Sequence, residues 1–170
     1  KVVLKEISDS DGSKKDEDRE QVDKNGYVRI KNTTFRDKSN RMRQTFSFGE
    51  SICAEFSVEV KTRITNPIFG ITLWQNHLDR PVFATNTLIE GKKETGEYEK
   101  GVLIDVSISI PYGLNDGEYY IEPAVANEAG VVFYDRKPKA AKMIITGSKN
   151  AYSLISNKDK IILNIQKKGR

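Results

Sequence analysis

The sequence predicts an all-β chain, a sandwich of two packed antiparallel sheets. Three observations carry the prediction. Ile52, Ala54, Phe56, Val58 and Val60 alternate with Cys53, Glu55, Ser57 and Glu59, and Val102, Ile104, Val106, Ile108 and Ile110 alternate in phase against Asp105, Ser107 and Ser109. That period of two marks strands buried on one face. Turn signals at Gly49-Glu50, Asn115-Asp116-Gly117 and Ala129-Gly130 punctuate such segments. No stretch carries apolar residues at convincing helical spacing, which leaves about eight to ten short strands and a sandwich as the expected architecture.

The elements follow in order. Val2 to Ile7 is a short apolar segment, an edge strand or the end of a linker. Ser8 to Gly26 has almost no apolar residues and an excess of acids, and reads as a mobile loop. The division expected is therefore 1–26 as strand or linker plus acidic loop, and 27–170 as the folded sandwich. Tyr27 to Phe35 is strand-like, Arg36 to Arg43 a polar turn, and Thr45 to Phe48 leads into Gly49-Glu50. After the Ile52–Val60 strand, Asn66 to Thr87 reads as two strands around a short polar turn. Gly91 to Lys100 is a charged connection. Pro111 stops the second long alternation, and Tyr119, Ile121 and Val125 continue a strand whose other face carries Tyr120, Glu122 and Ala124. Val131 to Tyr134, Met143 to Ile145 and Lys160 to Ile165 are further strands.

Composition narrows the function. At 170 residues, 31% charged and 37% hydrophobic, the chain suits one domain able to bury roughly two thirds of its unfolded surface. No apolar run approaches the roughly 20 residues that cross a bilayer as a helix. It opens at Lys1 rather than methionine and reads as a fragment or processed product. The single Cys53 permits no intramolecular disulfide and reads as a packed thiol. Lysines and arginines crowd the stretch from Arg136 to Arg170, where Asp159 is the lone acid. Such residues protect strand edges from aggregation or attract anionic polymers and surfaces.

The usual catalytic signatures are missing. There is no G-x-x-x-x-G-K-[ST] phosphate loop, and one Cys with one His does not make the usual zinc sets. No serine or cysteine motif marks a nucleophile for His77 to activate. No cofactor, no metal and no nucleic-acid partner are expected.

The most informative stretch is Asn66 to Thr87. Phe69, Ile71 and Leu73 alternate with Gly70, Thr72 and Trp74, so Trp74 falls on the outer face of its sheet, beside Asn76, His77, Arg80 and Asn86. Trp74 and Tyr120 offer aromatic platforms for apolar sugar faces. Thr72, Asn76, His77, Arg80, Thr85 and Glu122 offer polar contacts for hydroxyls. Arg80 also suits a carboxylate or phosphate. The bland readings stand beside these: Trp74 covered by a loop or a partner, Asn86 capping a turn, and His77 and Arg80 simply solvated.

The order of these segments resembles a known family. Phe48-Gly49-Glu50 before a long strand, Asn66-Pro67-Ile68-Phe69-Gly70-Ile71, and Val82-Phe83-Ala84-Thr85-Asn86-Thr87 are followed by Ile110-Pro111, Leu114 and Gly117-Glu118-Tyr119-Tyr120, then by Ala141 to Ile145. This set is similar to the C-terminal carbohydrate-binding domain of the ATPase subunit of bacterial polysaccharide ABC transporters, the Wzt type. The resemblance spans roughly Tyr27 to Ile165 and does not cover the acidic stretch. It implies an immunoglobulin-like sandwich that dimerises by exchanging a C-terminal strand, for which Lys160 to Ile165 is the candidate. It further implies a non-catalytic cytoplasmic module at the inner membrane, joined to an N-terminal ATPase domain and partnered by the transporter's membrane subunit. Its ligand would be the modified non-reducing end of an O-antigen polysaccharide. Two other readings remain open on sequence: a structural or adhesive immunoglobulin-like module without a sugar site, and a glycan-processing enzyme with a carboxylate pair.

Overall fold

A computed structural model describes residues 26–78, 80–148 and 163–168. The segment Val2 to Ile7 and the acidic loop expected before Gly26 lie outside these residues, apart from Gly26 itself. Twelve strands are described: β1 Val28–Asp37, β2 Thr45–Ser47, β3 Ile52–Val60, β4 Ile64–Thr65, β5 Ile68–Gln75, β6 Pro81–Asn86, β7 Glu97–Tyr98, β8 Leu103–Ile110, β9 Gly117–Ala126, β10 Phe133–Arg136, β11 Ala141–Thr146 and β12 Leu163–Lys168. One sheet runs β1-β3-β8-β12 and the other β2-β11-β9-β5-β6, with β10 also on β9; β4 and β7 form a small separate pair.

The alternations read from sequence become the facing walls of the core. Ala54, Phe56, Val58 and Val60 of β3 and Ile104, Val106 and Ile108 of β8 are buried, as are Phe69, Ile71 and Leu73 of β5, Tyr119 and Ile121 of β9, and Met143 of β11. Each such aliphatic or aromatic side chain withdrawn from water contributes about 1.5–3 kcal/mol before conformational entropy is subtracted. This apolar layer fixes the register, because a one-residue slip would turn the whole set to solvent.

Several features were not visible in the sequence. β2 pairs with β11 in parallel, Ile144 opposite Thr45, where only antiparallel pairs were expected. The chain leaves the edge of the first sheet through a turn held by Asp37, whose Oδ1 accepts from the amides of Ser39 and Arg41, and it enters the edge of the second sheet already running alongside β11. The β4–β7 pair lies in stretches read as connections. β1 carries a bulge between Lys31 and Thr34, with Asn32 at φ 49°. Pro123 sits inside β9, a central strand, where proline normally costs a ladder hydrogen bond. Its carbonyl accepts from Lys137 on the side where β9 changes partner from β11 to β10, and its nitrogen points the same way. At that junction no ladder bond is lost.

Of the expected Lys160–Ile165 strand, the part from Leu163 is described; it lies in β12, which pairs antiparallel with β8 of its own chain, Leu163 opposite Ile108 through Lys168 opposite Leu103. Residues 149–162, which lead into it, lie outside the description.

Candidate functional site

The outer face of the second sheet is built from cross-strand pairs whose side chains share one side of the pleat. The first row is Pro81, Trp74, Tyr120 and Lys142, from β6, β5, β9 and β11. The second is Ala84, Thr72 and Glu122, the third Asn86, Gly70, Ala124 and Arg136, and the fourth Ile68, Ala126 and Phe133. At the usual rise per strand residue these rows extend about 20 Å along the sheet. Their chemistry changes from aromatic and basic, through polar, to small and apolar.

At the first row Trp74 is half-buried, and its Nε1 is shielded from water with no hydrogen-bond partner among the described residues. Asp79 is outside them. Tyr120 lies next to it, but one side of its ring is occupied: Lys139 Nζ stands 5.3 Å from the ring centroid, and Tyr120 Oη donates to Glu118 Oε2 at 3.2 Å. Lys139 achieves this from a left-handed position, φ 49°, in the turn between β10 and β11. A lysine pays roughly 1 kcal/mol or more for that conformation. Tyr120 is therefore a cation-capped ring rather than an open platform. Asn76, His77 and Arg80 are exposed on the β5–β6 turn, and the backbone amide of Asn76 donates to Glu118 O at 3.4 Å.

The second and third rows hold an ion pair. Glu122 is only 6% exposed, and the Arg136 guanidinium reaches its Oε1 through both Nε and Nη2. Arg136 also lies over Phe133, with Cζ 5.4 Å from the ring centroid. β10 delivers both side chains because it is pinned from behind, where Asp135 Oδ2 accepts from Ile30 N at 2.6 Å and Tyr134 stacks on Tyr27 at 4.8 Å.

Thr85 is a correction. It pairs with Ile71, on the inner side of the sheet, is 3% exposed and donates from Oγ1 to Glu90 Oε1 at 2.5 Å. The β5–β6 register shifts between Leu73 and Trp74, and past that shift Phe83 and Thr85 face inward while Ala84 and Asn86 face outward. Asn86 caps the following turn, its Oδ1 accepting from Ile89 N at 2.8 Å.

The fourth row opens into a recess of about 270 Å3. Gly70, Ala84, Ala124 and Ala126 floor it, and Leu88, Ile89 and Phe133 wall it, with Thr72 and Asn86 at its polar margin. A side chain at Gly70 would force β5 and β6 apart: an added Cβ would meet Asn86 Cβ at 2.8 Å and Thr85 O at 2.9 Å. None of this floor was singled out from sequence. The available signal was small residues repeated on outer phases of three strands, at Gly70, Ala84 and Ala124. Arg136 was read only as part of a basic run.

Among the described residues no cluster of His, Cys, Asp and Glu suits a metal ion. The one cysteine, Cys53, lies on the opposite sheet against Ser107, and burial pushes its thiol pKa up, away from nucleophilic reactivity.

A family model, the Wzt C-terminal domain, matches residues 19–156. The chain belongs to the Wzt C-terminal domain family. The crystal structure of the C-terminal domain of Wzt shares the fold with a TM-score of 0.69 at 16% identity, over 79% of this chain and 83% of that one. No curated protein sequence matches the chain. Wzt membership makes this a binding domain rather than a catalytic one, and supports a carbohydrate-binding role within an ABC transporter.

Proposed function

We propose that this Wzt-family domain recognises the modified non-reducing end of an O-antigen polysaccharide and so couples chain completion to export. In this reading it works in the cytoplasm at the inner membrane, attached to an N-terminal ATPase domain that hydrolyses ATP and docks on the membrane subunit. Two copies pair by exchanging β12, each placing its Leu163–Lys168 strand on the partner's β8 in the register seen within one chain.

The observation that carries the proposal is the outer face of the second sheet. It presents an indole at Trp74, a polar centre at Thr72 and the Glu122–Arg136 pair, and an apolar recess along one continuous line of cross-strand neighbours. Sugars have apolar C–H faces and a fringe of hydroxyls, so they need this mixture of flat apolar surface and fixed donors and acceptors. Asn76, His77 and Arg80 would meet residues further along the polymer from their exposed turn, and Tyr120 would serve by holding Lys139 at the groove. The test is Trp74→Ala in the dimeric domain. Loss of polysaccharide binding with unchanged unfolding temperature supports the site; unchanged affinity removes it.

A further inference from the structure

Resting on the glycan reading above, we infer a second binding site on the opposite sheet: the polar groove across β1, β3, β8 and β12 holds an uncharged internal stretch of the same polymer. Its position follows from the register. On the outer face of the first sheet Thr34, Glu55, Ser107 and Asn164 form one cross-strand row, and Lys31, Ser57, Asp105 and Gln166 the next. The central strands carry short hydroxyls there, Ser57 and Ser107, half-buried at the floor. Longer side chains stand exposed on both rims, Asn164 and Gln166 on β12, Asn32 and Asn40 on β1 and the turn after it. The result is a groove of about 500 Å3, within the roughly 300–1,000 Å3 range of small-ligand sites.

The lining selects the ligand. Among the described residues its charged side chains are Arg36, Glu55 and Asp105. Arg36 Nε donates to Glu55 Oε2 at 2.5 Å, and Ser57 Oγ donates to Asp105 Oδ1 at 2.9 Å. With Arg36 and Glu55 balancing each other, the groove keeps one net negative charge and repels an anion. Phe56 and Val106 turn into the core, which leaves Met42 as its exposed apolar side chain, too little to seat an apolar peptide. Four carboxamides and three hydroxyls make up the rest. Such groups both donate and accept, as the hydroxyls of a sugar require of a partner. The β1 rim adds a backbone argument. Asn32, in the β1 bulge, and Asn40 hold left-handed conformations, φ 49° and 62°. Glycine takes such positions with least strain, yet each here brings a carboxamide to the groove. β12 supplies the opposite rim, so in the exchanged dimer proposed above the second copy would complete each groove.

The groove is open to water and its binding weak, so the test uses millimolar repeat units of source-strain O polysaccharide with its natural non-reducing terminus removed. Amide NMR shifts of the intact domain are the readout, because the groove lies on the sheet away from Trp74 and the indole fluorescence does not report it. The variants are Asn32→Gly with Asn40→Gly, which keep the left-handed backbone and remove only carboxamides, and Asn164→Ala; thermal unfolding verifies each fold. The expected result is saturable shifts centred on Ser57, Ser107 and Asn164, insensitive to salt, with affinity lowered about two- to tenfold per hydrogen bond removed. Shifts confined to the Trp74 face, shifts abolished by salt, or wild-type affinity in the folded variants would each overturn the inference. In those cases binding of the intact polymer at Trp74 would leave the glycan reading standing, whereas no shift with either polymer would remove both.

Discussion

Gly70→Ala tests the packing that shapes the site. The added Cβ would lie 2.8 Å from Asn86 Cβ and 2.9 Å from Thr85 O. Carbon atoms rest at about 3.5–4.0 Å, so β6 must retreat from β5 by roughly 0.7 Å or more. One obstacle is backbone, which a rotamer change does not relieve. Overpacking of this kind costs about 1–3 kcal/mol. Against it, Gly→Ala reduces the entropy of the unfolded chain, worth about 0.4–1 kcal/mol where the backbone tolerates it. The clash wins, with a net loss of about 1–2 kcal/mol, or a melting temperature lower by about 3–6 °C for a domain of this size. Urea unfolding followed by Trp74 fluorescence and circular dichroism measures it, with an unchanged m-value showing that only stability moved. A variant as stable as the wild type would refute the close approach of β5 and β6 and, with it, the floor of the recess.

Other consequences are equally concrete. Arg136→Met leaves the largely buried Glu122 carboxylate without its partner and should cost about 2 kcal/mol, less than for a fully enclosed pair because Arg136 borders solvent; Glu122→Gln in the same chain should restore part of the loss in a double-mutant cycle. Thr85→Val should leave polysaccharide affinity unchanged, since Thr85 faces inward, and a titration showing weakened binding would contradict that placement. Glu59, held by Lys31 and Lys61 at 2.6 Å each, has its pKa lowered from the ordinary 4.5 to about 2. A carboxylate lowered in the folded state contributes stability above the unfolded value and loses it as pH falls through the folded one. The stability gap between wild type and Glu59→Gln should therefore close between about pH 4.5 and 2; a gap constant across that window would show the carboxylate is not so held.

The long alternations in β3 and β8 told both fold class and core, because a strand buried on one face writes its period directly into sequence. Trp74 was placed outward on the same logic, and it lies half-buried on the outer face. Short or irregular elements carry no such signal. Val82-Phe83 fits either phase, and only the register shift after Leu73 decides that Thr85 points in. Pro123 argues against a central strand until the change of partner from β11 to β10 is seen. Arg136 meets Glu122 by a tertiary return of the chain, and Lys139 reaches Tyr120 from a left-handed turn, neither of which leaves a local trace. The recess is defined by what is absent from outer positions, and small residues attract less notice than aromatic ones.

The central claim is end-recognition by the Trp74 face. Its most direct test is a titration of the domain with source-strain O polysaccharide, following Trp74 fluorescence, beside the same polymer lacking its natural non-reducing terminus. Saturable binding to the intact polymer and none to the truncated one is the predicted result. Equal binding to both, or no binding to either by the folded domain, would contradict it.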